Sequence, residues 1–417
     1  MMDAPAFKET TMGKQFDVIV FGATGFTGRL VAEYLATRYG DGGEVKWAMA
    51  GRSAAKLEQV RELIGAPASV PLITADASDS AALATLVARA KAVITTVGPY
   101  QLYGQPLAMA CATAGTDYVD LCGEPAWMAQ MIPLLEAPAK ASGARIVFSC
   151  GFDSIPFDLG VTYLQHEAHK RFGQPLTRVR GRVRSIKGGI SGGTLASFMA
   201  TLEAMRRDPN LASVMANPFA LTPGFTGPPQ PEGDSALYDD WCKSWTGPFM
   251  MASINTKNVH RSNALLGHAW GKDFSYDERM MTGDGPKGER RARKMVFVSR
   301  VQNALLGFSP TRALLRRFAL AKPGEGPDRK ARENGRYEVV FTGETADGKR
   351  LRASVRGDRD PGYGSTAKMI TEAALCLAAD PLRAMSGGGV WTPGGAMGMA
   401  LAPRLQERAG LTFAIED

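Results

Sequence analysis

The run Gly22-Ala23-Thr24-Gly25-Phe26-Thr27-Gly28 follows directly on the apolar stretch FDVIVF and leads into RLVAEYLATRY. Glycines at this spacing between a strand and a helix suit the binding of a dinucleotide diphosphate. Gly22 would permit the tight turn, Gly25 would let backbone amides approach the phosphates, and Gly28 would let the helix pack closely on the sheet. The helix amino terminus would then supply N–H groups and partial positive charge to the anion. Thr24, Phe26 and Thr27 complete the expected cofactor-binding turn.

Cofactor preference is expected at the end of the second strand, where the adenosine ribose lies. An acidic residue there accepts from the 2′-hydroxyl of NAD. This chain has Gly51-Arg52-Ser53 instead, with Lys56 one turn later. A guanidinium beside a hydroxyl suits a 2′-phosphate, so the expected cofactor is NADPH. Asp76, after the third strand, could meet the adenine edge or cap the next helix. Gly98-Pro99-Tyr100 and Tyr103 close the fourth strand and should run along the cofactor toward its reactive ring. Tyr100, Tyr103, Asp153 and Ser154 are the candidates for donating a proton or stabilising an oxyanion, with Asp153 equally suited to a structural hydrogen bond. None of the ten tyrosines has a lysine four residues on; Tyr363 misses by one, with Lys368 at the fifth. A Tyr/Lys ketone-reduction pair is thereby disfavoured.

Six β-branched runs must position these groups: Phe16–Phe21, Val45–Ala50, Val70–Thr74, Ala92–Val97, Tyr118–Leu121 and Arg145–Ser149, separated by helical stretches. Their apolar character on both faces predicts a doubly wound parallel sheet of the Rossmann kind, with its crevice at the carboxyl ends of the first and fourth strands. The rhythm breaks at Gly151-Phe-Asp-Ser-Ile-Pro156. The expected division is therefore a nucleotide-binding domain over residues 14–155, a second α+β domain for substrate or dimerisation over 156–360, and a C-terminal helical segment over 361–417 that packs back on the first domain. Asp347-Gly348 should close a hairpin between Tyr337–Glu344 and Arg350–Gly357.

At 417 residues, with 45% apolar and 22% charged residues, two cores are expected and disorder is excluded. Five scattered cysteines and four histidines give no metal or disulfide framework, so the expected setting is a reducing cytoplasm with no metal. The net charge of +8 is local: Lys287 to Arg336 holds 14 Lys or Arg against 4 Asp or Glu, which leaves −2 for the remainder. Within it, Lys294–Leu320 interleaves Met295, Phe297, Val301, Phe308, Leu314 and Phe318 with arginines around Pro310. Two short amphipathic segments are expected there, covering the second domain or resting peripherally on the inner face of an anionic membrane. Nucleic acid is not expected, because the basic segment carries no recognised nucleic-acid-binding fold.

The segments FDVIVFGATGFTGRLVAEYL, WAMAGRSAAKLE, TTVGPYQLYGQPLAMACATAGTDYVDLCGE, CGFDSIPFDLG, SGGTLAS, KPGEGP and GDRDPGYGSTAKMITEAALCLA run in order through most of the chain. Together they resemble the saccharopine dehydrogenase-like superfamily, and within it the bacterial trans-acting enoyl reductases. That resemblance implies NADPH-dependent reduction of a carbon–carbon double bond in a small or carrier-linked lipid or polyketide intermediate, by a chain that could form a homodimer. Two alternatives stay open: imine reduction or amine oxidation of the saccharopine type, and a cofactor-binding, lipid-associated scaffold without catalysis.

Overall fold

The computed structural model describes residues 13–40, 43–189, 192–208, 210–307, 326–379 and 386–416. Strands β1 (Phe16–Phe21), β2 (Trp47–Gly51), β3 (Leu72–Thr74), β4 (Ala90–Thr95), β5 (Asp117–Val119) and β6 (Arg145–Val147) alternate with helices α1 (Phe26–Tyr39), α2 (Ala54–Leu63), α3 (Ser80–Ala88), α4 (Tyr100–Ala114) and α5 (Pro125–Ser142). Every pairing in the sheet is parallel, in the order β3-β2-β1-β4-β5-β6. Strand order therefore reverses between β1 and β4, as the alternation of elements predicts. Val18 and Val20 enter one apolar cluster and Ile19 and Phe21 the other, so β1 is buried on both faces. Burial of each such side chain contributes roughly 1.5–3 kcal/mol.

Helix α6 (Ile155–Phe172) leads to a mixed second sheet made of β7 (Leu176–Lys187), β8 (Leu237–Asp239), β9 (Ser244–Pro248), β10 (Ser275–Gly283), β11 (Arg336–Thr345) and β12 (Arg350–Gly357). The β11–β12 hairpin is present in antiparallel register, with Thr342 opposite Arg352. Between these strands lie α7 (Gly192–Arg207), α8 (Asn210–Ala216), α9 (Ala252–Leu265), α10 (Gly285–Gly307) and the short α11 (Arg329–Glu333). Helix α9 buries Asn255, Asn258 and Ser262, which bond Glu278, Ser154 and Asp158 and so tie it to β10 and α6.

The C-terminal stretch departs from the helical expectation. Helix α12 (Thr366–Ala378) does pack on α1, β4 and β5, and its residues are buried apart from Lys368. The chain then adds β13 (Gly389–Trp391) beside β6 as a seventh parallel strand, and ends in β14 (Leu411–Glu416) on β12 of the second sheet. Three residues and one edge pairing are too little pattern to reveal such strands in advance. Of the expected pair of amphipathic segments, the described part is the single helix α10; Phe308, Pro310, Leu314 and Phe318 lie outside the described residues.

Candidate functional site

The glycine turn sits at the carboxyl end of β1, against β4. Gly22 has φ +90°, and an added Cβ would stand 2.7 Å from Val97. At Gly28 it would stand 2.1 Å from the Gly22 carbonyl oxygen, so packing alone requires glycine there. Gly25 differs: an added Cβ would meet only the Gly22 oxygen, at 3.3 Å, and the residue is exposed. The amino end of α1 has no side-chain cap and no acidic residue in its first turn. Unsatisfied helix amides facing open space fit a diphosphate. Thr27 borders the adjoining cavity, and Thr24 lies near Gly51 at the end of β2. Phe26 points elsewhere: its ring packs edge-on to Tyr363 at 4.8 Å, beneath the Arg29 and Arg332 guanidiniums.

Arg52 is exposed beyond β2, and its charge is one of the influences that hold the Asp76 carboxyl below the usual carboxylate range, after the Ser78 side-chain and backbone bonds. Asp76 closes a turn onto Ser78, while Asp79 caps α3. The Ser53 hydroxyl accepts from the Lys56 amide and caps α2. Arg52 and Lys56 are both exposed here, and two cations at this strand end suit a 2′-phosphate. Replacing Arg52 by Ala should weaken NADPH about 10- to 100-fold while leaving NADH nearly unchanged. Calorimetric titration with both nucleotides checks this; equal losses would remove Arg52 from cofactor selection.

Beyond the turn opens a cavity of about 460 Å³ between the carboxyl edge of the first sheet and the second sheet. Its first-sheet wall comprises Thr96, Gly98, Tyr100, Leu121, Cys122, Gly123, Ser149 and Gly151 to Asp153. The opposite wall includes Phe198, Leu202, Phe249 and five methionines, Met205, Met215, Met250, Met251 and Met280. Among the described lining residues there is no Lys, Arg, His or Glu, and Asp153 is the one carboxyl group. Burial pushes Asp153 up to about 6, against a bond from the Thr194 hydroxyl that draws it down. Lys257, lowered to about 8 by burial, spends its ammonium on the Met215 carbonyl.

The other candidates are placed differently. The buried Tyr100 hydroxyl donates to the Thr95 carbonyl at 3.2 Å and accepts from the Leu121 amide at 3.0 Å, so it braces the loop. Tyr103 is 49% exposed and is absent from the cavity wall. Ser154 is buried, donating to the Asp153 carbonyl and accepting from Asn258. Pro99 leads into α4, and the Gly98–Pro99 peptide is cis.

Two acidic residues in DLCGE escaped the sequence reading. Asp120, which burial pushes up to about 7, receives the Cys122 and Ser149 amides. It thereby holds Ser149 at φ +63°, in the left-handed region a serine adopts only under constraint. Glu124 bonds the first amides of α4. Both occur in the motif that carries the resemblance, but nothing in their spacing indicates which helix or strand they serve. Among the described residues no group of three or more His, Cys, Asp or Glu could hold a metal ion.

Comparison with known proteins adds to this geometry. Residues 18–147 match the saccharopine dehydrogenase NADP-binding domain family. A Mycobacterium tuberculosis protein with the provisional name trans-acting enoyl reductase is 42% identical, over 95% of this chain and 96% of its own. A Mycobacterium ulcerans trans-acting enoyl reductase is 38% identical, over 94% of this chain and 96% of its own. Among solved structures, a Saccharomyces cerevisiae saccharopine dehydrogenase (L-Glu forming) aligns over 96% of this chain and 100% of its own, with a TM-score of 0.52 at 13% identity. At that identity the likeness is one of fold alone.

Proposed function

Because the chain belongs to the trans-acting enoyl reductase family, with an NADP-binding domain of the saccharopine dehydrogenase type, we propose that it reduces the carbon–carbon double bond of a neutral, apolar, carrier-linked enoyl substrate. The observation that carries this reading is the lining of the cavity. Five methionines and three phenylalanines suit an alkyl chain of variable shape, because unbranched thioether side chains repack around it. A substrate with several carboxylates, as in saccharopine-type amine chemistry, would need arginines or lysines, which the described lining lacks.

NADPH, when bound, supplies the hydride that adds to the β-carbon. The chain must then protonate the α-carbon and keep water out. We assign that proton to Asp153, a residue of the cavity lining whose carboxyl burial pushes up to about 6, so that the neutral form prevails below that pH. An apolar chain filling the cavity desolvates it further in the same direction. Tyr100, Asp120 and Ser149 fix the loops on either side. Incubation of the protein with NADPH and a long-chain 2-enoyl thioester tests the reading; NADPH oxidation stoichiometric with the saturated thioester is expected. Turnover of an amino acid or imine instead would overturn it.

We place a lipid contact on α10. Its outward face passes from Arg290, Arg293 and Lys294 to Phe297, Val298 and Val301, all exposed, with Phe297 at 67%. The helix starts beside Gly283, which pairs with Trp245, and brings Met295 against Gly247. It therefore runs with β9 toward Pro248, where the cavity wall begins. An apolar patch with adjacent cations, next to an apolar cavity, suits an anionic bilayer surface. At about 1 kcal/mol per basic residue, sedimentation with anionic vesicles should be measurable at low salt and weaken steeply as salt rises. A variant combining Arg290→Gln, Arg293→Gln and Lys294→Gln should lose most of it. Equal sedimentation of the two proteins would remove α10 from any lipid contact. No described helix is long and apolar enough to cross a membrane.

A further inference from the structure

Glu124 stands just before α5 but caps another helix. Its carboxylate accepts from the Tyr100 amide at 2.8 Å and the Gln101 amide at 2.9 Å, at the amino end of α4. The Ser197 hydroxyl donates to the same carboxylate at 2.6 Å. Glu124 is 1% exposed. Helix α4 begins where the cofactor-side loop Gly98-Pro99 ends, whereas α7, which carries Ser197, supplies Phe198, Thr201, Leu202 and Met205 to the opposite wall. A weaker contact from the Gln101 side-chain amide to Thr201, at 3.5 Å, joins the same two helices.

We propose that Glu124 is a positioning residue that sets the substrate wall against the cofactor loop, with Ser197 as the releasable half of the bond. Two of its bonds satisfy orphan amides of α4 and benefit from that helix's dipole, so its place relative to the first sheet is fixed. The third bond reaches α7, which is also tied down at its amino end, where Thr194 bonds Asp153 and the Gly192 amide donates to the Tyr363 hydroxyl at 2.8 Å. Short and part-buried, it links the middle of α7 to the nucleotide-binding half, as the Thr194–Asp153 bond does at the start of the helix. When it is made, the apolar wall stands in register with Gly98 and Asp153; when it is broken, the bonds of Gly192 and Thr194 still anchor the start of α7, and the part from Ser197 onward can swing outward to admit a chain. The catalytic part of this inference rests on the enoyl reductase reading, whereas the latch itself does not.

Ser197→Ala removes the third bond and leaves the α4 cap in place. Hydrogen exchange of the full-length protein should then be about 10- to 100-fold faster across Gly192–Arg207 and unchanged across Tyr100–Ala114. Glu124→Gln should quicken both. With a long-chain 2-enoyl thioester, Ser197→Ala should lower kcat about tenfold or more and raise KM, with NADPH affinity and melting temperature unchanged. Ser197→Thr should restore all of these values. Unchanged exchange in α7 would overturn the latch, and faster exchange with wild-type kcat and KM would overturn the positioning role. If the wild-type protein turns over no enoyl thioester, the proposed reaction fails, while the exchange measurement still decides the latch.

Discussion

Asp153→Asn should lower kcat for enoyl reduction about 10²- to 10⁴-fold, the range by which a positioned proton donor accelerates a reaction. The variant keeps the shape of the side chain and can still accept from Thr194, but it has no proton to give at the α-carbon. In the wild type, the neutral acid is abundant below its raised pKa of about 6 and becomes scarce above it. The rate under saturating NADPH should therefore fall as pH rises through that region, by up to tenfold per unit, and Asp153→Asn should lose that limb. The sign of the stability effect separates this from unfolding. A carboxyl whose folded pKa lies above its unfolded value of 3.8 binds more proton when folded, so its ionisation costs stability increasingly between about pH 4 and 6. A neutral isostere removes that cost, and Asp153→Asn should melt no lower than wild type at pH 8. A folded variant with near wild-type kcat, or an unchanged pH profile, would take the proton away from Asp153.

Gly25→Val should abolish NADPH binding, by at least about 100-fold, in a protein that still folds. The backbone at Gly25 is extended, with φ −78° and ψ 164°, which valine adopts readily. Its Cβ would be slightly close to the Gly22 oxygen, at 3.3 Å. The branched methyl groups would then occupy the space in which helix amides meet the diphosphate, and several charge-assisted bonds would lengthen together. Gly28→Val is the informative contrast. There a Cβ stands 2.1 Å from a backbone oxygen inside the turn, so α1 must shift on the sheet at a cost of about 3 kcal/mol or more. Calorimetry with NADPH and thermal melting of both variants check the pair. Retention of full affinity by Gly25→Val would contradict the phosphate-binding role of the turn, whereas a wild-type melt for Gly28→Val would contradict its packing role.

These two glycines mark how far the residues could be read in isolation. The sequence assigns the three glycines separate tasks, and the geometry agrees where the backbone is concerned: Gly22 turns at positive φ, Gly28 packs against the turn, and Gly25 borders open space. Ser53 and Asp76 show a limit. Ser53 reads as a cofactor contact and Asp76 as either an adenine contact or a helix cap; in the structure Ser53 caps α2 and Asp76 closes a turn onto Ser78, because short polar side chains find nearby amides. Arg52, longer and charged, stays exposed and acts on Asp76 through its charge.

The sequence by itself determined the nucleotide-binding half, its parallel strands and the turn between β1 and α1, because diphosphate recognition uses contiguous backbone at one strand–turn–helix. It also placed the hairpin of β11 and β12, whose signal is local. Only the tertiary structure decided the substrate side. Met205, Met215, the adjacent Met250 and Met251, and Met280 lie on separate stretches of the chain, and no periodicity joins them until the second sheet folds against the first. Ser197 meets Glu124 across 73 residues, and Gly389–Trp391 joins a sheet whose other strands end at Val147. The chemistry of Asp153 is likewise a tertiary property, since a carboxyl's pKa is set by the solvent it loses and the partners it meets. Tyr100 makes the same point in reverse: a residue type suited to proton transfer is spent on two backbone groups that the fold brings to its hydroxyl.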